Sequence, residues 1–208
     1  MTFCAGPRSV GPCKRHMNEM TAPPSDQDLL QATAQGDRWA FAALMERHTP
    51  FALALAMRML GNADDAEEVA QEAFLRVWRK APDWDGDGGA RFTTWLYRVV
   101  INLCTDRKRR KPIVAMDDID EPPDPGPDGL ERLAQGQMQK LVSQALNHLP
   151  ERQRAAIALC HLGETTNAQA AETLGISVSA LESLLVRGRR GLRDYLSRQG
   201  FAASGDLL

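Results

Sequence analysis

Long apolar runs are missing from this 208-residue chain, and nothing in it approaches the roughly 20 residues that a membrane-spanning helix needs. The first residues lack the apolar core of a signal peptide, so the expected location is the cytoplasm. Cysteine is sparse. Cys4, Cys13, Cys104 and Cys160 form no close-set pair, which argues against a disulfide framework and against a four-cysteine zinc site. The Gly-rich stretch WDGDGGARF (84–92) lacks the GxxxxGK[ST] pattern and has no strand before it, so nucleotide hydrolysis is not supported. Nor is there a large excess of positive charge. At a net charge of −2 the chain is no general polyanion binder, and any contact with nucleic acid must come from local basic patches.

One such patch is present in RFTTWLYRVVINLCTDRKRRK, residues 91–111. Trp95, Leu96, Val99, Val100 and Leu103 recur at spacings of three and four, which predicts a helix with one buried face. Phe92, Trp95 and Tyr97 place aromatics near its start. Seven basic residues stand against one acid, Asp106, with most of them in the last turn. Cations there suit the helix dipole, and cations beside aromatics suit a nucleic-acid strand. A core helix with a solvated basic tail would have the same composition, so the neighbouring segments must decide.

Residues 1–25 carry six Gly and Pro residues between Gly6 and Pro24 and no periodicity, which predicts a flexible extension. Cys4, Cys13 and His16 lie within it, and they lack the fourth ligand and the scaffold that a metal site requires. Helical pattern starts at Asp26, the expected cap of a first helix that stops at Gly36. Asp37–Gly61 predicts one long helix or two, with Pro50 as a kink or break and His48 alone. Asn62–Pro82 follows, with Asn62 or Asp64 as cap, acids in the first turn and Arg76, Arg79 and Lys80 in the last. The acids at its start could bind a divalent metal. Compensation of the helix dipole accounts for them more simply.

Beyond Lys111 the composition inverts. Pro112 to Glu131 holds seven acids, no base and four more prolines after Pro112, as expected of an extended acidic linker. A second helical domain is expected over 133–198, followed by a tail at 199–208. Within it Thr166 and Gln169 form a capping box that opens a helix, Gly175 closes it, and Ser177 caps the next. Two helices joined by this tight turn, with small Ala171 at their crossing, make a helix-turn-helix pattern. Val178, Leu181, Leu185 and Leu192 are expected on the buried side of the second helix. Ser179, Ala180, Glu182, Ser183, Val186 and Arg187 then lie near its outer N-terminal half, where a recognition helix meets base edges, and Arg187, Arg189, Arg190 and Arg193 within reach of phosphates. The expected fold class is all-α: two small helical domains joined by an acidic, Pro-rich linker.

In order, GDRWAFAALMERH, LGNADDAEEVAQEAFLRVW, FTTWLYRVVINLCTDRKRR, LPERQRAAIALCHL and AQAAETLGISVSALESLLVRGRRGLR resemble the extracytoplasmic-function (ECF) group of bacterial sigma factors over about residues 26–198. The resemblance implies a sigma-2-like domain at 26–111, a linker at 112–132 and a sigma-4-like domain at 133–198. It implies core RNA polymerase, promoter DNA and an anti-sigma factor, often membrane-bound, as partners, and no catalytic residue, cofactor, metal or small-molecule substrate. By position, Asp65, Glu68, Gln71, Phe74, Leu75 and Trp78 would contact core polymerase. Phe92, Trp95, Tyr97, Arg98, Asn102, Arg107, Arg109 and Arg110 would bind and melt the −10 element, and loop 85–92 would receive a flipped base. Stacking supplies roughly 1–3 kcal/mol per base, enough to offset unstacking. Ser177, Ser179, Ala180, Ser183, Arg187, Arg189 and Arg190 would bind the −35 element. The linker would run through the polymerase channel towards the RNA exit. Many relatives carry a Lys and an Arg where this chain has Glu182 and Leu184, so nonspecific phosphate attraction should be weaker here.

Two other functions fit the same residues less well. A stand-alone helix-turn-helix regulator would carry a sensing domain ahead of the helix-turn-helix, where this chain has an aromatic and basic helical block. A metal-dependent hydrolase would have to use Asp64 to Glu68, with no histidine beside them.

Overall fold

The computed structural model describes residues 23–85, 91–110, 129–161 and 165–200, with the side chains of 129–135 and 139 excepted. Cys4, Cys13, His16, most of loop 85–92, linker residues 112–128 and tail residues 201–208 lie outside the described residues. Those described form eight α-helices and no strand.

Helix α1 (Asp26–Ala34) is capped by Ser25, not Asp26: Ser25 and Asp28 make a reciprocal capping box. Asp26 is thereby free to face α2 (Arg38–Leu60), where it meets Arg47 at 2.6 Å and His48 Nε2 at 3.0 Å. His48 is buried against this carboxylate. Hydrogen bonding from His48, and then from Arg47, holds the Asp26 carboxyl below the usual range although burial opposes it. Pro50 does not break α2. It lies on the exposed side, where the backbone group it leaves without a helical partner is next to solvent. Asn62 caps α3 (Ala63–Lys80), accepting from the Asp65 amide at 2.9 Å, and a single 3₁₀ turn, Ala81–Asp83, follows.

Helix α4 (Phe92–Arg110) packs against α2, α3 and α7 (Asn167–Leu174), and this changes which of its residues are buried. Leu96 and Val100 are fully buried as expected, but Trp95, Val99 and Leu103 only partly. Phe92, Tyr97, Ile101 and Cys104 complete the inner surface instead, with Tyr97 stacked on Phe51 at 4.1 Å between ring centroids. Each fully buried leucine, such as Leu44, Leu55 or Leu96, contributes roughly 1.5–3 kcal/mol.

The second set of helices is α5 (Gly129–His148), α6 (Glu151–Cys160), α7 and α8 (Val178–Arg198). Helix α5 starts at Gly129, four residues before the expected start of the second domain at Leu133. The Thr166–Gln169 capping box forms as expected. Gly175 sits at φ 64°, in the left-handed region that favours glycine, and Ser177 caps α8. Leu181, Leu185, Gly188 and Leu192 make the buried stripe of α8. Val178 does not join it. It is 42% exposed, at the first residue of the helix and ahead of the stripe. Gly188 permits the close approach of α8 to α6, since a Cβ at that position would come 2.6 Å from Ile157 Cδ1.

The two sets are not held apart. Helix α2 meets α5 and α6, and α4 meets α7.

Candidate nucleic-acid interface

On α3, Glu68, Gln71, Leu75 and Trp78 follow one another at spacings of three and four and form one exposed strip. Leu75 is 49% exposed and Trp78 37%, with the Trp78 ring edge-on to Phe41. The other two residues assigned to this face are placed elsewhere. Phe74 is 2% exposed and belongs to the core, one residue round the helix from Leu75. Asp65 is buried and bound to Arg107 of α4, whose second arm takes Glu68. Between α3 and α4 runs a groove lined by Glu68, Gln71, Leu75, Leu103, Arg107 and Arg110. Among the described residues no group of three or more His, Cys, Asp or Glu could hold a metal ion, and Asp65 and Glu68 already hold a guanidinium.

The α4 residues divide in the same way. Asn102, Arg109 and Arg110 are exposed. Arg98 is half-buried, and its guanidinium donates to the Thr173 carbonyl at 3.1 Å and the Glu172 carbonyl at 2.8 Å. Phe92 and Tyr97 are buried, so neither ring face is open to a base in this arrangement. Half-buried Trp95 lies edge-on to Trp84 at 5.5 Å, and Trp84 edge-on to Phe92 at 5.9 Å. These three rings flank the ends of loop 85–92. Trp84 escaped the sequence reading although it stands directly before the Gly-rich loop.

On α8, Ser179, Ser183, Arg187 and Arg190 lie four, four and three residues apart on one exposed face. The Ser183 hydroxyl donates to the Ser179 carbonyl, and Arg187 Nε to the Ser183 carbonyl, so both side chains lie along the helix. Ser177 is engaged as the cap, bonded to the Ala180 amide at 3.2 Å. Ala180 is half-buried. Arg189 turns inward towards the end of α6, where its charge acts on Cys160 and His161. The exposed line therefore includes Arg187 and Arg190 but not Arg189.

Arg154 is the residue the sequence reading missed most. It is 6% exposed and donates to the carbonyls of Leu146, Asn147, Leu149 and Met59. It stands with Glu151, Arg152 and Gln153 ahead of the apolar run of α6, so no local sign set it apart. Lys108 donates to Asn147 Oδ1 at 2.6 Å, and burial, then the nearby Arg154 charge, push its ammonium down to about 8. Burial pushes the Cys104 thiol up to about 12.

All of this is recognition chemistry: a helix-turn-helix with a polar and basic outer face, and a basic helix bordered by aromatics. The class is a helical DNA-binding transcription protein. Residues 44–112 match the Sigma-70 region 2 family, and residues 139–192 match the Sigma-70 region 4 family. The chain is 30% identical over 203 residues to the ECF RNA polymerase sigma factor SigE of Mycolicibacterium smegmatis, an alignment covering 93% of this chain and 78% of the relative. Over 182 residues it is 30% identical to SigW of Bacillus subtilis, covering 80% of this chain and 94% of that one. The solved structure of CnrH in complex with the cytosolic domain of CnrY superimposes with a TM-score of 0.63 at 29% identity, covering 83% of this chain and 97% of that chain. The chain belongs to the ECF RNA polymerase sigma factors. It is an alternative sigma factor that works with core RNA polymerase and promoter DNA, not an enzyme. Among the described residues no helix is long and apolar enough to cross a membrane.

Proposed function

We propose that the chain directs initiation through three separate surfaces. The α3 strip of Glu68, Gln71, Leu75 and Trp78 docks on core polymerase, where acids beside exposed apolar groups suit a basic partner. Arg98, Asn102, Arg109 and Arg110 of α4 hold the displaced −10 strand, with Trp95 and Trp84 beside the loop as stacking surfaces. Ser179, Ser183, Arg187 and Arg190 of α8 meet the −35 element in the major groove. Asp65, Phe74, Phe92 and Tyr97 support these surfaces from inside, Arg107 braces α4 on α3, and Ser177 sets the start of the recognition helix.

The observation that carries the reading is the capped turn from Thr166 to Ser177, which leaves Ser179, Ser183, Arg187 and Arg190 on an exposed face of α8 while Leu181, Leu185 and Leu192 are buried. The protein acts in the cytoplasm and answers to an anti-sigma factor in a stress response. Support for a protein regulator comes from relatives: CnrH was solved with the cytosolic domain of CnrY, and the more distant RpoE of Bartonella quintana, an example of the same fold, with the anti-sigma factor NepR. Run-off transcription with purified core polymerase on a genomic promoter library tests the reading. Defined start points that require this chain are expected, and none at any promoter would overturn it.

A further inference from the structure

We infer that α8 reads its promoter element through a cytosine and a thymine: Glu182 accepts from the cytosine N4 amino group, and Val186 packs on the thymine methyl. The inference rests on the reading of α8 as the helix that meets the −35 element in the major groove. The face it offers has two ridges. Glu182 and Val186 stand one turn apart along one side, and Ser183 and Arg187 one turn apart along the other, all four exposed. The second ridge is partly committed to the helix itself. Ser183 donates to the Ser179 carbonyl at 3.0 Å, and Arg187 Nε to the Ser183 carbonyl at 3.1 Å. The first ridge has no such engagement. Val186 is 66% exposed, and Glu182 has no cation three or four residues away, where Val178, Ser179, Leu185 and Val186 stand.

Neither ordinary account of a surface acid applies to Glu182. Glu72 has Arg76 one turn on, at 3.0 Å, and Asp194 lies 4.0 Å from Arg190, whereas Glu182 lacks such a partner on its helix. It is also the fifth residue of α8, beyond the first turn in which the helix dipole favours an acid. Against a groove lined by phosphates, an unpaired carboxylate is repelled unless it meets a donor. Base edges supply few. In the major groove guanine offers acceptors only, thymine an acceptor and a methyl, and adenine an acceptor beside its amino group; cytosine offers the N4 donor. Bidentate readers are missing as well. From Val178 to Val186 there is no Arg, Lys, Asn or Gln, so this half of the helix cannot fork onto guanine or adenine. Exposed Val186 then matches the one apolar feature of a base edge, the thymine methyl. Four residues of helix rise about 6 Å and two base steps about 7 Å, so the two bases lie about two pairs apart.

The test uses the full chain with core polymerase. A promoter obtained by run-off transcription is randomised across its −35 region, and the transcribed templates are sequenced. The expected result is cytosine favoured at one position by about fivefold or more, with thymine favoured about two pairs away. Glu182→Gln should move the first preference to adenine, which a carboxamide binds through N6 and N7. It should also raise transcription from templates that lack the cytosine, because a repelled anion has gone. Deoxyuridine in place of the thymine removes only the methyl and should cost the unsubstituted chain about threefold. Val186→Ser should be indifferent to that exchange. Both positions are exposed, and circular dichroism should show both variants folded. A cytosine preference that survives Glu182→Gln, or a deoxyuridine effect that survives Val186→Ser, overturns the inference and leaves the −35 role of α8 standing. If no upstream base is favoured, and the chain with Arg187→Ala and Arg190→Ala transcribes normally, the −35 role falls and the inference with it.

Discussion

Arg107 and Asp65 are bound to each other: the guanidinium Nη2 lies 2.6 Å from Asp65 Oδ1, and Nε donates to the same oxygen at 2.7 Å. Resemblance alone sends these residues to different partners, one to DNA and one to polymerase. The pair instead ties the basic helix to the acidic one, with Glu68 taking the remaining arm at 2.6 Å. Asp65 is mostly buried and Glu68 is not, so their truncations should separate. We expect Asp65→Ala to cost about 1.5–3 kcal/mol in denaturant unfolding, as the loss of charged hydrogen bonds would. Glu68→Ala should cost under about 1 kcal/mol, as for an exposed pair, while weakening competition for core polymerase. Equal destabilisation by the two would count against this division.

The same reasoning separates Phe74 from Leu75. Phe74→Ala opens a cavity in the core and should cost about 3–5 kcal/mol, so any loss of polymerase binding by that variant reports on folding. Leu75→Ala removes an exposed side chain and should leave the unfolding midpoint nearly unchanged while weakening pull-down of core enzyme. If Leu75→Ala binds core polymerase normally, the docking strip on α3 is misplaced.

These two residues also mark where sequence reading stops. The turn of the helix-turn-helix was legible because each of its signals is local: Thr166 with Gln169, Gly175 at positive φ, Ser177 with the Ala180 amide. The helices and their order were legible for the same reason. Which side of a helix faces inward depends on what packs there, and that is set by distant segments. Phe74 is inside and Leu75 outside because α3 turns that edge towards α2 and α4. Val178 satisfies the apolar period of α8 but lies ahead of its buried stripe. Ser25, not Asp26, caps α1 through its box with Asp28, a local signal, whereas the partners of Asp26 on α2 follow from no local rule. Arg154 and Met59 are bonded across 95 residues, and only the fold joins them.

Gly188 gives a prediction for the second set alone. A side chain there points directly at Ile157 on α6. Gly188→Val should cost about 1–3 kcal/mol through overpacking, against the modest gain in helix propensity from losing glycine. Thermal unfolding followed by circular dichroism checks it. A rise in midpoint would mean that α6 and α8 slide apart without cost.

Lys108 should make the stability of the folded chain depend on pH, and the sign is fixed by its environment. Burial, then the positive charge of Arg154, lower its pKa to about 8 from the usual 10.5, while Cys104 and Glu151 pull the other way. In the unfolded chain Lys108 regains water and the ordinary value. Below about pH 8 both states hold the proton, and the folded one bears the full cost of keeping that charge. Between about pH 8 and 10.5 the folded state sheds the proton while the unfolded state retains it, so the Lys108 contribution to stability rises through that window. A neutral amine can still donate to Asn147. Denaturant unfolding at pH 8 and pH 10 should therefore show a gain in stability from this group. Lys108→Met, which keeps the stem and removes the charge, should lack that gain. An equal slope in both chains would place the titrating group elsewhere.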